Sequence, residues 1–269
     1  MSEDNMSDDT TRHVRTLFIS DVHLGTKGAK ADMLLDFLRA HDADKIFLVG
    51  DIIDGWKLKN GWYFPQSHND VVQKLLHKAR KGARIIYIPG NYDEFLRDFL
   101  SLTFGGVKLR EDFIHESADC KKYLVIYGDY FDIVVKHVKW LAFLGDSKYL
   151  FALASNTYLN ITRRKLGFTY WSLSAWAKLK VKNAVNFIGR LEENLAAEAK
   201  RLKVDGVICS HIHRAANKDI NGVKYFNTSG WVESCTALIE HHDGTMEIIR
   251  WAETVALLNT EMVLKNKAA

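Results

Sequence analysis

Proline is nearly missing from this sequence: Pro65 and Pro89 are the only two in 269 residues, and no Pro- or Gly-rich linker interrupts the chain. That excludes two loosely tethered domains and leaves one large domain, with or without an insertion. Cysteine is scarce as well. Cys120, Cys209 and Cys235 are odd in number and lack metal-type spacing, so reduced thiols of a cytosolic protein are expected rather than a disulfide framework or a thiolate zinc site. No uncharged apolar run reaches the roughly 18–20 residues of a membrane span. The start, residues 1–12, is acidic and polar, has no apolar core of a signal peptide and is expected to be a disordered tail. A net charge of +4 gives no global argument for nucleic acid.

What is present is a repeated pattern. An apolar run, Val14 to Ile19, reads as a buried strand and ends abruptly in Ser20-Asp21-Val22-His23-Leu24-Gly25. Extended backbone there points Asp21 and His23 the same way. A helix over 30–41, a strand over 45–49 ending in Gly50-Asp51-Ile52-Ile53-Asp54, a helix over 69–81 and a strand over 84–88 ending in Pro89-Gly90-Asn91-Tyr92-Asp93 follow. This alternation predicts an α/β sheet. Residues 55–68 read as a loop. From 107 the pattern changes: strands over 108–115 and 121–127, the second ending in Tyr127-Gly128-Asp129, then a long helical region, 134–202. A strand over 206–209 leads into Ser210-His211-Ile212-His213, strands over 223–227, 234–240 and 245–251 follow, and Asp243-Gly244 is a hairpin turn. Residues 253–269 are expected to be a weakly held tail.

Five strand ends therefore carry polar candidates: Asp21 with His23, Asp51, Asn91, Tyr127, and His211 with His213. Open α/β sheets place their sites beyond the carboxyl ends of strands. Oxygen and imidazole donors without thiolates suit Mn²⁺, Fe or Zn²⁺ in a catalytic rather than a structural site. One cation does not need so many groups; two cations sharing Asp51 use all of them. Any one of these residues alone reads as a solvated turn, and it is their joint occurrence after apolar strands that carries the metal reading.

On these stretches the sequence resembles the calcineurin-like metallophosphoesterases, and its flanks are closest to the UDP-2,3-diacylglucosamine pyrophosphatase branch of lipid A synthesis. Ile19 to Gly25, Val49 to Asp54, Tyr127 to Asp132, Asn227-Thr228 and Trp231-Val232-Glu233 carry that likeness. The resemblance implies a four-layer α/β/β/α sandwich with a helical insertion. Its core comprises 13–133 and 203–252, and its cap 134–202. It implies one metal on Asp21, His23 and His213, a second on Asn91 and His211, and Asp51 bridging. A hydroxide held between two divalent ions, Mn²⁺ first and Fe or Zn²⁺ as alternatives, would attack phosphorus, with Asp51, Asn91 and Tyr92 closest to the chemistry. It further implies release of UMP from a lipid-nucleotide, at the cytoplasmic face of a Gram-negative inner membrane.

The chain departs from the family pattern at several points. Tyr92 stands where the family has histidine in Gly-Asn-His-Asp. Tyr127 replaces a metal-two histidine, so it is either a phenolate ligand or the mark of a weakened second site. Ser210 stands for glycine, Arg214 for a frequent histidine, and Ser229-Gly230 for Gly-Asp. A catalytically impaired lipid-binding relative, or a phosphoesterase for a nucleotide, phosphodiester or phosphoprotein, are the alternative readings.

The cap carries its own signal. Between 134 and 190 there are ten Lys or Arg, one acid and ten aromatic residues. Basic, aromatic amphipathic helices suit an anionic membrane surface or anionic lipid. A plain helical subdomain with a solvated basic face and a nucleic-acid groove remain the other readings. Lys136, Lys139, Arg163, Arg164 and Arg214 are the candidates for phosphate or headgroup contacts.

Overall fold

The computed structural model describes residues 11–129 and 173–268, with side chains at 188–258 and 260 in the second part. Most of the predicted cap, including Lys136, Lys139, Arg163 and Arg164, lies outside the described residues, as does most of the predicted N-terminal tail. The chain divides into two compact units, 1–129 with 195–269, and 130–194. All that follows concerns the first, except the amino-terminal part of one helix.

In order, the elements are β1 (Arg12–Ile19), α1 (Ala31–Ala40), β2 (His41–Val49), α2 (Gly55–Asn60), α3 (Gln66–Arg80) and β3 (Arg84–Ile88). A 3-10 turn at Glu94–Phe99 precedes β4 (Thr103–Phe104), β5 (Val107–Leu109), β6 (Phe113–Glu116) and β7 (Lys122–Val125). After α4 (Leu173–Leu202) come β8 (Gly206–Cys209), β9 (Ala216–Ile220), β10 (Val223–Asn227), α5 (Trp231–Ser234), β11 (Thr236–Glu240), β12 (Met246–Arg250) and α6 (Trp251–Ala268).

Among the described residues these strands form two sheets, in the orders β12-β11-β1-β2-β3-β5-β4 and β6-β7-β8-β10-β9. The strands β1, β2, β3 and β5 run parallel, as do β7, β8 and β10, and β11 closes on β1 antiparallel. The near-continuous apolar runs have a simple cause: both faces of the first sheet are buried. Leu17, Ile19, Ile46, Leu48, Ile85 and Tyr87 face the helix layer, with Leu34, Phe37, Leu38 of α1 and Val71, Leu75 of α3. Their alternates, Phe18, Phe47, Val49, Ile86 and Ile88, meet Tyr123, Val125, Ile208 and Phe226 of the second sheet. The predicted mixed α/β fold with two central sheets is what the chain adopts. A buried polar pair joins the sheets as well: His115 Nε2 lies 2.7 Å from Glu240 Oε2, and both side chains are fully buried.

Several sequence expectations need correction. The single strand over 108–115 is two: the chain leaves the first sheet after Leu109 and enters the second at Phe113, whose ring stacks edge-on against Phe47 at 5.4 Å. Three consecutive charged residues, Arg110-Glu111-Asp112, mark the crossing, but Leu109 and Phe113 on either side stay in phase with one strand period. The loop at 55–68 contains α2, capped by Asp54 through the Lys57 N–H at 2.8 Å. Residues 253–268, the expected tail, are helical as part of α6, which begins at the buried Trp251.

The aromatic pair at the centre of the sandwich gives a direct test. Phe18 and Phe47 stack with ring centroids 5.0 Å apart, and neither is exposed. Phe47→Ala should lower unfolding free energy by about 3–5 kcal/mol, read from urea denaturation midpoints at unchanged slope.

Candidate metal centre

The site forms where parallel strands end. Loops after β1 and β2 continue to pair beyond their strands: the Asp21 N–H donates to Gly50 O at 3.0 Å, the His23 N–H to Asp51 O at 2.9 Å and the Leu24 N–H to Ile52 O at 2.8 Å. The backbone is not extended there, as the sequence suggested. Asp21, His23, Asp51, His211 and His213 all take left-handed φ, between 47° and 72°. Each left-handed side chain is turned out of the strand's alternation, and it is this turn that lets neighbours converge. Such backbone costs on the order of 1 kcal/mol or more per residue and persists only where surroundings fix it. Aspartate and histidine bear it better than branched residues.

One carboxylate fixes much of the rest. Asp93 accepts hydrogen bonds from the N–H groups of Ile52 at 2.8 Å and Gly90 at 2.5 Å, and from the Tyr87 hydroxyl at 2.5 Å. It thereby ties the loop carrying Asp51 to the loop carrying Asn91. Tyr92 N–H donates to Asp51 Oδ1 at 2.8 Å.

The predicted first metal set comes together. Donor atoms of Asp21, His23 and His213 all lie within 4.8 Å of one another. His213 Nε2 is 3.2 Å from Asp21 Oδ1, while its Nδ1 faces Glu233 at 3.7 Å. His23 Nδ1 faces Asp54 at 3.5 Å, and its Nε2 lies 3.8 Å from Asp51 Oδ2. Each imidazole thus has one nitrogen toward the centre and the other against a carboxylate, the arrangement that orients metal-ligating histidines. Asp54 and Glu233 were not among the predicted site residues. They sat in the sequence as the last acids of Gly50-Asp51-Ile52-Ile53-Asp54 and Trp231-Val232-Glu233, but nothing in spacing gave them a role.

The second predicted set is altered. Tyr127 is fully buried, and its hydroxyl donates to Asp51 Oδ2 at 2.5 Å and lies 3.0 Å from Asp21 Oδ1. The ring meets His211 edge-on at 4.9 Å. It is accommodated by glycine: a Cβ at Gly50 would overlap the ring, and one at Gly90 would lie 2.7 Å from it. Asn91 Oδ1 is buried without a hydrogen-bond partner, as befits an oxygen that a cation would engage. Tyr92 packs its ring edge-on to His23 at 4.9 Å, within reach of the centre as expected, and Arg214 is exposed.

A serine in place of glycine at 210 has a visible part to play. The hydroxyls of Thr228, Ser20 and Ser210 link at 2.7 Å each and end on Asp21 Oδ2. Ser229 takes φ 68°, a conformation glycine adopts freely, and is held by its N–H to Asn227 Oδ1 at 2.8 Å.

Electrostatics follow from burial. For Asp51, burial and then the charges of Asp21 and Asp93 push the carboxyl up to about 7. Asp21 moves the other way, to about 2: burial opposes ionisation, but His213, His23 and Ser210 outweigh it. His213 rises to about 10 despite its burial, because Asp21 and Glu233 face it. Burial, then Asp21 and Asp51, push the Tyr127 phenol well above its ordinary range, so in the metal-free chain it is a proton donor and not a phenolate.

The sequence profile of the family described as calcineurin-like phosphoesterase matches residues 14–215. The chain belongs to that family. Membership implies divalent metal ions, and the donor atoms of Asp21, His23 and His213 converge as a set that could hold one. Two curated relatives carry the name UDP-2,3-diacylglucosamine hydrolase. The protein of Blochmanniella pennsylvanica is 29% identical over 116 residues, covering 42% of this chain and 46% of its own length. That of Porphyromonas gingivalis is 27% identical over 95 residues, covering 33% and 36%. The chain therefore spans less than half the length of these relatives. Similar solved structures include zinc-bound Vps29 of Entamoeba histolytica, 14% identical, covering 87% of this chain and 97% of that one at a TM-score of 0.39. A Thermotoga maritima protein is 14% identical, covering 88% and 99% at 0.43.

Two outcomes are expected. Asp54→Asn should weaken divalent metal affinity about 10–100-fold with the fold intact, read by titration calorimetry and circular dichroism. Metal binding should also release protons, because a cation displaces those on His213 and Asp51. Between about pH 6 and pH 8 the release should fall but not vanish, since Asp51 ionises near 7 while His213 stays protonated. Calorimetry in buffers of different ionisation enthalpy measures it, and a release that stays constant with pH contradicts the assignment.

Proposed function

We propose that this metallophosphoesterase hydrolyses the pyrophosphate of an anionic lipid-nucleotide of the UDP-2,3-diacylglucosamine type, giving UMP and a lipid phosphate. The single observation that carries the hydrolytic part is the Asp21, His23 and His213 cluster beside the buried Asp51 carboxylate. The substrate class rests on the names of the two curated relatives and on the resemblance of the flanking motifs.

Asp21, His23 and His213 would hold a divalent cation, Mn²⁺ first among the candidates, which would supply Lewis acidity toward a phosphoryl oxygen and a lowered pKa for water. The chain's own groups do the rest. Asp54 and Glu233 hold the two imidazoles in orientation. Tyr92 N–H and the Tyr127 hydroxyl hold the Asp51 carboxylate. The exposed Arg214 and the cationic residues at 136, 139, 163 and 164 would meet phosphate or headgroup. Trp56, Trp62, Tyr63, Phe95 and Phe99 are exposed, and the Trp56 ring packs tilted against Tyr92 at 5.3 Å. That favours a lipid-bearing substrate taken from an anionic membrane surface by a cytoplasmic, peripherally bound enzyme. None of the described helices is long and apolar enough to cross a membrane.

Mn²⁺-loaded protein given UDP-2,3-diacylglucosamine should release UMP, identified by mass spectrometry, and His23→Ala should abolish the release. Hydrolysis confined to generic nitrophenyl phosphodiesters would move the substrate to another class, and no hydrolysis of any phosphoester would leave a non-catalytic lipid binder.

A further inference from the structure

We propose that the substrate-free chain holds one divalent cation tightly, on Asp21, His23 and His213, and that the Tyr127 hydroxyl, set between Asp21 and Asp51, takes up the Asp51 carboxylate that a second cation on Asn91 and His211 would share. The inference takes the identity of the pocket from the phosphoesterase reading and goes beyond it in metal count.

Geometry carries it. Two buried carboxylates that face each other need a positive partner between them. Tyr127 supplies one as the positive end of an O–H dipole, 2.5 Å from Asp51 Oδ2 and 3.0 Å from Asp21 Oδ1. Its ring has nowhere else to go: it is packed over Gly50 and Gly90, edge-on to His211, and is 1% exposed. Asp51 is then engaged at both oxygens, Oδ2 by the phenol and Oδ1 by the Tyr92 N–H at 2.8 Å. What the described residues still offer a second cation is Asn91 Oδ1, buried and without a hydrogen-bond partner, and the His211 ring. Those are two neutral donors with no carboxylate free to join them. The first set differs in kind, because its three donor atoms already converge and one of them is anionic. Hard divalent ions are held by sets that include carboxylate oxygen, and two neutral ligands make a poor site.

Full-length protein stripped of metal, reloaded with excess Mn²⁺ and desalted gives the measurement. Metal content by mass spectrometry should be one equivalent, and electron paramagnetic resonance should show an isolated Mn²⁺ ion. Tyr127→His should raise the content to two equivalents and produce the spectrum of an exchange-coupled pair. Two retained equivalents with a coupled spectrum in the unchanged chain overturn the proposal, as does a folded Tyr127→His protein that still retains one. If the variant fails to fold, the spectrum of the unchanged chain decides alone. No substrate is present in these measurements, so a failure to release UMP sinks the substrate reading and leaves the metal count standing.

Discussion

Two carboxylates shut away from water, Asp21 and Asp51, sit close enough to share one hydroxyl, and the surrounding structure is arranged to make that tolerable. Buried like charges are costly unless opposite charge or hydrogen-bond donors reach them. The two sheets divide this work. The first delivers both acids, at the ends of β1 and β2, and the second delivers Tyr127, Ser210 and His213, from the ends of β7 and β8. Neither sheet has a balanced site alone. The sandwich is held together at this end by attraction across it, and elsewhere by the aromatic layer around Phe18 and Phe47.

Asp93 shows how position is enforced. It coordinates nothing in the centre, yet its carboxylate receives two loop N–H groups and the Tyr87 hydroxyl, so the loops after β2 and β3 are fixed relative to each other. Asp54 works at two levels at once, capping α2 and orienting His23. Residues of this kind maintain the left-handed backbone at Asp21, His23 and Asp51, which local preference alone would relax.

Much of this was legible in the sequence. Apolar runs ending in Asp-x-His, Gly-Asp, Gly-Asn and His-x-His gave the strands of the first sheet, the strand ends and the first metal set, because burial on both faces leaves an unambiguous run and a polar stop. The break between β5 and β6 had a signal in the three consecutive charges Arg110-Glu111-Asp112, but the apolar positions on either side, Leu109 and Phe113, stay in phase and so read as one strand. Nor was the left-handed turn at Asp21 and His23: extended and left-handed backbone can be built from the same residues, and only pairing with Gly50 and Asp51 selects between them. Tyr127 was visible as an altered position, but whether a phenol binds a cation or replaces one depends on where its oxygen points. Glu233 and Asp54 are short-range neighbours only in space, so spacing could not mark them.

The strand order has a consequence for how the protein is made. β1 finds its neighbour β2 at once, but its other edge stays open until β11 emerges more than two hundred residues later. In the second sheet β7 likewise waits for β8 and β10. A nascent chain therefore carries Asp21 and Asp51 without the imidazole of His213 until β8 and the loop after it have emerged, and the pocket can close only then.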